Sequence, residues 1–300
     1  MIKHLRHNEI DKGAWDARLM RSANRLWYAQ SWVLDLACPD WEALVDEEAD
    51  AMMPLTVRSK WGLPYLYQPL GIQQLGVFAA HPGRVSPEAF IAALPKRIRY
   101  MDILVNGSML HSGIATTEAV PQQNQELVAT DALDTLRSHY SKGHRRNLKD
   151  AADLHEIALP VSAFETLFRR TTGERFGPSS VKGLEVFLSV VSEGIARGQC
   201  EVRALAKDQE PMAAACFATW QGRSIMLKSA NSESGHSAKA MFVLIDAWIA
   251  RHAGTGMLLD FAGSNTPSVA RFNAGFGAGP RTYFRLRRNR LPLPLRWLKQ

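Results

Sequence analysis

The sequence predicts an α/β (α+β) chain of two tandem domains, each a mixed, mainly antiparallel sheet flanked by helices. Three observations carry this. The 300 residues exceed what a single core usually fills, which sets an expectation of two domains of about 150 residues each. Short strand-like runs bounded by turn residues alternate with longer runs of helical period. The order of these elements also occurs twice: Trp41 lies 159 residues before Cys200, and Asp102 lies 158 before Asp260. A near-constant offset of that kind is what an internal duplication leaves behind.

In the first half, 2–5 reads as a strand and 11–22 as a helix, followed by a helix over 28–37 in which Trp32, Val33 and Leu36 recur at helical spacing. Strands follow at 41–45, 51–57 and 63–67, separated by Glu47-Glu48 and Gly62. An extended run at 72–78 leads to a helix over 86–97, where Ser86 caps and Pro87 suits the first turn. A strand at 101–105 ends this half. The second half repeats the order: a strand at 155–159, a helix at 162–172, and a longer helix at 179–197 stopped by Gly198. Strands at 200–206, 212–220 and 224–229 are divided by Asp208-Gln209 and Gln221-Gly222. A helix at 237–253 precedes the strand 257–261. Alternation of Tyr283, Arg285 and Arg287 with Phe284 and Leu286 makes 283–287 the last strand of the second sheet. The domains are expected at 1–140 and 141–288, the second led by a basic helix over 141–153, with a basic tail at 289–300.

A hydrophobic fraction of 46% and a charged fraction of 22% are those of a soluble globular protein. No apolar run reaches the roughly 18 residues of a spanning helix. The opening MIKHLRHNEIDKG lacks the apolar core of a secretory signal. Cys38, Cys200 and Cys216 are odd in number and far apart, against a disulfide framework or a structural zinc site. The expectation is a cytoplasmic protein, peripheral to a membrane if the tail attaches. The net charge of +7 equals the seven cations of 281–300 (Arg281, Arg285, Arg287, Arg288, Arg290, Arg296 and Lys299), a stretch without an acid. Such a tail, with Trp297 near its end, fits an anionic membrane surface, RNA phosphates, or a solubilising extension. Nucleophile-elbow, HExxH, Walker and Rossmann patterns are absent, and no metal is expected.

Four segments are candidates for chemistry. In LLDFAGSNTPSVARFNAGFG (258–277), Asp260 ends an apolar strand before a small-residue turn and a helix, the way many α/β enzymes present a polar group to a ligand. Burial would raise its pKa and suit a base; alternatively Asp260 braces the turn. Arg271 lies on the following helix, facing either a cleft or a surface ion pair. In SKGHRRNLKDAADL (141–154), Arg145 and Arg146 form either an anion clamp or a solvated face with Lys142 and Lys149. In YLYQPLGIQQLG (65–76), Gln73 and Gln74 beside aromatics suit a sugar, peptide or amide acceptor, or simply two strands about a turn. Tyr283 is a phenol able to protonate a leaving group.

The element order, the S…RRN helix of 141–154, the PLGIQQLGVF run and the 258–277 segment together resemble the FemAB-like branch of the GNAT acyltransferases, over nearly the whole chain. That resemblance implies two tandem GNAT-like domains. It implies an acyltransferase that passes an acyl group from acyl-CoA, as co-substrate, to a small amine or peptide acceptor by direct attack. The alternatives are an aminoacyl-tRNA-dependent peptidyltransferase acting on a cell-wall precursor, or a non-catalytic binding module. No stable protein partner is implied. In the family, the strand holding Lys228, Ser229 and Ala230 carries a bulge whose amide polarises the donor carbonyl. The loop NSESGHS would place Gly235 and Ser237 at the donor pyrophosphate, with Ser232 where the family has Gln or Arg.

Overall fold

The computed structural model describes residues 1–109, 118–149, 154–172 and 178–292. The expected continuation of the basic helix to 153, and Arg296, Trp297 and Lys299 of the tail, lie outside them. The chain divides into two compact units, 1–122 with 282–300, and 123–281.

In the first unit, β1 (Ile2–Leu5) leads into α1 (Lys12–Arg21), which Asp11 caps by accepting the Ala14 amide at 3.0 Å. After α2 (Ser31–Ala37) come β2 (Glu42–Asp46), β3 (Ala51–Leu55), β4 (Val57–Lys60) and β5 (Leu63–Leu66). The strand expected at 51–57 is thus two. It breaks at Thr56, whose carbonyl accepts the Tyr67 amide at 3.1 Å while its hydroxyl donates to the Tyr67 carbonyl. One half joins the sheet β1-β2-β3-β6 and the other the run β4-β5-β7-β14. Of the extended run at 72–78 only a bridge from Leu75 to Val105 and the short β6 (Phe78–Ala79) form ladders. The helix α3 (Pro87–Ala92) stops well before Arg97, because Pro95 cannot continue it. β7 (Tyr100–Val105) pairs antiparallel with residues 284–289 of the C-terminal strand, whose bounds are given below. Leu44, Met53, Phe90, Met101 and Leu286 are buried in this unit's core.

The second unit begins inside β8 (Glu118–Val128), and α4 (Leu133–Ser138), α5 (Lys142–Lys149), β9 (His155–Ala158), α6 (Val161–Thr172) and α7 (Pro178–Ala196) follow. The antiparallel meander β10 (Cys200–Lys207), β11 (Glu210–Trp220) and β12 (Arg223–Asn231) turns at Asp208-Gln209 and Gln221-Gly222. All four turn residues have positive φ, 47° and 67°, then 50° and 76°, as tight hairpins between right-twisted strands require. Then come α8 (Glu233–Ser237), α9 (Ala240–His252), β13 (Leu258–Asp260), α10 (Pro267–Ala274) and β14 (Gly279–Asn289). Within the unit the strands run β8-β13-β12-β11-β10-β9. α9 buries Leu244, Ile245, Trp248 and Ile249 against Ala213, Ala215 and Phe217 of β11.

Each half therefore has the expected mixed, mainly antiparallel sheet with helices. The last strand is where expectation and structure part. Residues 284–289 pair with β7 of the first unit, and the second unit is completed instead by β8, which lies antiparallel to β13. β8 is polar, contains Pro121 and shows no clean alternation, so sequence periodicity does not reveal it. Among the described residues no helix is long and apolar enough to cross a membrane.

Candidate functional site

The second unit contains a parallel strand pair that separates. β12 and β13 are in register only from Arg223 opposite Leu258 to Ile225 opposite Asp260. Beyond that point the chain leaves Asp260 through Ala262 and Gly263, both at positive φ (51° and 106°), while β12 continues along β11 to Asn231. At the fork β12 bulges: Cys216 stands opposite Lys228 and Phe217 opposite Met226, leaving Leu227 as the extra residue. A bulge takes an amide out of the ladder and re-aims the side chains around it. The family resemblance anticipates such a bulge, but alternation alone cannot reveal it.

Lys228 follows the bulge. Its amine has no carboxylate partner among the described residues, and burial lowers its pKa. An unpaired ammonium in a half-buried position loses part of its hydration without a partner to replace it. Ser229 and Ala230 continue the strand opposite Ala215 and Ala214; Ala230 is buried and Ser229 half-buried.

Asp260 is fully buried. Its Oδ1 accepts from Asn124 Nδ2 at 2.7 Å and the Ala262 amide at 2.9 Å, and its Oδ2 accepts from Arg223 Nη1 at 2.6 Å. Arg223 also donates to Glu126 at 2.7 Å, and Asn124 accepts the Gly263 amide at 2.9 Å. Burial pushes the Asp260 pKa up, and the Arg223 guanidinium pulls it part of the way back. The carboxylate therefore ties the fork to its turn, with no oxygen left facing open space for a substrate proton. Asn124, Glu126 and Arg223 complete this network. Sequence reasoning missed them because they come from two segments remote from Asp260, Arg223 on β12 and the other two on the unpredicted β8.

The loop after β12 is built around its own cap. Ser232 Oγ accepts the Gly235 amide at 3.0 Å, and the Ser232 carbonyl accepts the His236 amide at 2.8 Å. Ser237 Oγ donates to the Glu233 carbonyl at 3.1 Å. Gly235 is needed for contact: a Cβ there would overlap Asn231 Oδ1 and the Met212 carbonyl. The Gly235 amide expected to cradle a pyrophosphate is thus spent on Ser232, and Glu233 adds negative charge to the first turn. An amide already bonded and a carboxylate in the first turn both lessen the pull of this helix start on an anion.

Arg145 is committed elsewhere, donating from Nη1 to the Ser138 and Tyr140 carbonyls at 3.0 and 2.5 Å. Arg146 and Arg271 are exposed. α5 is held to α10 by His144, buried among Phe242, Phe272 and Phe276. Its Nε2 meets the Phe272 carbonyl at 2.9 Å and its Nδ1 meets Ser141 Oγ at 2.8 Å. The first contact needs a protonated Nε2, so in the neutral ring Nδ1 accepts from the serine hydroxyl. Burial keeps the His144 pKa below its ordinary value.

The first unit has a cavity of about 530 Å³ lined by Tyr65, Tyr67, Gln68, Tyr100, Asp102 and Arg285, among others. Arg285 grips Asp102 through two hydrogen bonds of 2.7 and 2.6 Å, so the lining offers rings and a neutralised ion pair. Gln73 and Gln74 are not part of this lining. Gln74 is buried and donates to Gln73 Oε1 at 3.3 Å, and Gln73 Nε2 is buried without a hydrogen-bond partner. Tyr283, on β14, is 3% exposed. Among the described residues no group of three His, Cys, Asp or Glu side chains is arranged to hold a metal ion.

Residues 131–268 match the family model described as an acetyltransferase (GNAT) domain. Among solved structures, FemX matches with a TM-score of 0.66 at 12% identity, over 99% of this chain and 99% of that one. The C-terminal domain of a putative lysylphosphatidylglycerol synthetase from Agrobacterium fabrum matches at 0.53 and 12% identity, over 93% and 92% of the two chains. The L-PGS of Bacillus licheniformis matches at 0.53 and 13% identity, over 96% and 95%. At these identities the likeness is one of fold. No curated protein sequence matches.

Proposed function

We propose that this chain, which carries a GNAT acetyltransferase domain in its second half and shares its fold with FemX, transfers an aminoacyl group from an ester donor to an amine. The observation that carries the reading is the coincidence of the strand fork, the Leu227 bulge and the unpaired Lys228. The donor carbonyl lies against the bulge, where a released amide and the Lys228 ammonium stabilise the oxyanion that forms on attack. The acceptor nitrogen forms the new C–N bond and loses a proton, the ester C–O bond breaks, and the departing alkoxide takes up a proton. Lys228, with its pKa lowered by burial, is suited to give that proton and to recover it from the acceptor amine. No covalent enzyme intermediate is involved, and both substrates are held at once.

Asp260 acts here as a positioning residue that keeps the fork open through Arg223 and the 262–263 turn. The tyrosine-lined cavity of the first unit, by itself, has a neutral lining that suits an amide or hydroxyl-bearing group better than a phosphate. An aminoacyl ester is favoured over a CoA thioester by the self-capped loop at Ser232 and by Glu233. One of the similar folds is named as the C-terminal domain of a putative lysylphosphatidylglycerol synthetase, which is consistent with aminoacyl transfer. A CoA donor is the second reading, favoured by the match to a model described as an acetyltransferase domain.

The test is thermal unfolding with acetyl-CoA, free CoA, aminoacylated tRNA and uncharged tRNA. A ligand at 100 times its Kd stabilises the folded state by about 2.7 kcal/mol. The expected result is a shift with tRNA that is larger for the charged form. A shift with CoA species alone moves the assignment to the second reading, and no shift with any donor refutes both.

A further inference from the structure

The hairpin of β4 and β5 turns through Trp61 and Gly62, both left-handed, with φ of 53° and 75°. Asparagine, aspartate or glycine normally fills the first of these positions, and a bulky residue there is an outlier. The hairpin turns of the β10-β11-β12 meander, Asp208-Gln209 and Gln221-Gly222, carry polar or glycine residues at their left-handed positions. Trp61 is also 76% exposed, so its indole gains little from the fold that bears its strain. Backbone strain and solvent-exposed indole meet at one residue, and the Lys60 ammonium lies over the ring, 4.7 Å from its centroid.

The surroundings identify what could repay this. Residues 57–66 contain Arg58 and Lys60 and no acid. Lys60 is exposed, and Leu63 and Pro64 are partly exposed beside the turn. One protruding indole is too little for a protein interface, which needs several hundred Å² of contiguous surface. A single-stranded RNA platform needs successive aromatic rings along a basic groove. Here there is one ring at the tip, and Arg58 is held over Tyr67 at 4.5 Å. Indole seats itself at the boundary between water and lipid, and flanking cations are drawn to anionic head groups.

We propose that the Lys60–Trp61–Gly62–Leu63 tip is a membrane-docking element that inserts Trp61 into the interface of an anionic bilayer. This stands apart from the transfer chemistry and from the choice of donor.

The experiment is co-flotation of the full-length protein with vesicles of phosphatidylglycerol and phosphatidylcholine at 30:70, and with phosphatidylcholine alone. The key variant is Trp61→Asn, which suits a left-handed turn and so removes the indole without threatening the hairpin. Wild-type protein is expected to float with anionic vesicles, less so as salt rises, and to show tryptophan quenching by brominated lipid. Trp61→Asn should lower partitioning at least tenfold and reduce the quenching, and Lys60→Glu should weaken binding to the anionic vesicles only. Failure of wild-type protein to bind anionic vesicles overturns the proposal. So does Trp61→Asn partitioning within twofold of wild type, which would assign the binding to another segment. Loss of bulk tRNA binding in Trp61→Asn with vesicle binding intact also overturns it, in favour of an RNA contact.

Discussion

Replacing Asp260 by asparagine separates a base from a brace. The substitution keeps the shape and an oxygen that can still accept from the Ala262 amide or Asn124. It removes the charge opposite Arg223 and, in that orientation, sets an amide NH₂ against Nη1 where an acceptor stood at 2.6 Å. Breaking a buried ion pair by removing one partner costs about 3–5 kcal/mol. Glu126 stays on Arg223 at 2.7 Å, so the lower end, about 3 kcal/mol, is the expected loss. Urea unfolding measures the total. Hydrogen exchange localises it, and protection should fall at 223–231 and 258–264 before it falls in the first unit. Turnover per folded molecule should drop less than about tenfold, because a positioning residue lacks the direct proton transfer worth about 10²–10⁴-fold. A loss of stability under 1 kcal/mol together with turnover reduced more than about 100-fold would refute the bracing argument and restore Asp260 as the base.

Other perturbations test the remaining links. Lys228→Met should lower kcat about 10²–10³-fold while leaving the unfolding midpoint unchanged or raised, since it removes an unpaired charge from a half-buried position; kcat within threefold of wild type would remove Lys228 from the mechanism. Tyr283→Phe should leave kcat nearly unchanged in the same assay, and a loss as large as that of Lys228→Met would make the phenol the proton donor. His144 has its pKa lowered in the folded state, so its contribution is complete above the unfolded value of 6.5 and is lost as pH falls below it. Stability should then decline by at most about 1.4 kcal/mol per pH unit on this account, and His144→Gln should flatten the decline. Gly275→Ala puts a methyl inside the His144 ring and should cost about 2–4 kcal/mol by driving that ring from Ser141 and the Phe272 carbonyl, measured by urea unfolding.

What the sequence determined by itself is local. The caps at Asp11 and Ser86, the stop at Gly198 and the turns at Asp208-Gln209 and Gln221-Gly222 depend on residues within a few positions of one another. So does the periodicity of β10, β11, β12 and α9, and the resemblance in element order led from these to the right fold. Tertiary structure decided everything that needs a distant partner. β8 becomes a strand because β13 offers it a ladder, and residues 284–289 pair with β7 rather than closing the second unit. Asp260 was legible as an acid at a strand end, yet whether it is free or bound depends on Arg223 and Asn124, 37 and 136 residues away. The bulge at Leu227 was legible in no pattern of letters, because a bulge is a mismatch between two strands. Short-range steric and hydrogen-bond preferences are written into neighbouring residues, whereas register, burial and charge pairing exist only once the chain has brought remote segments together.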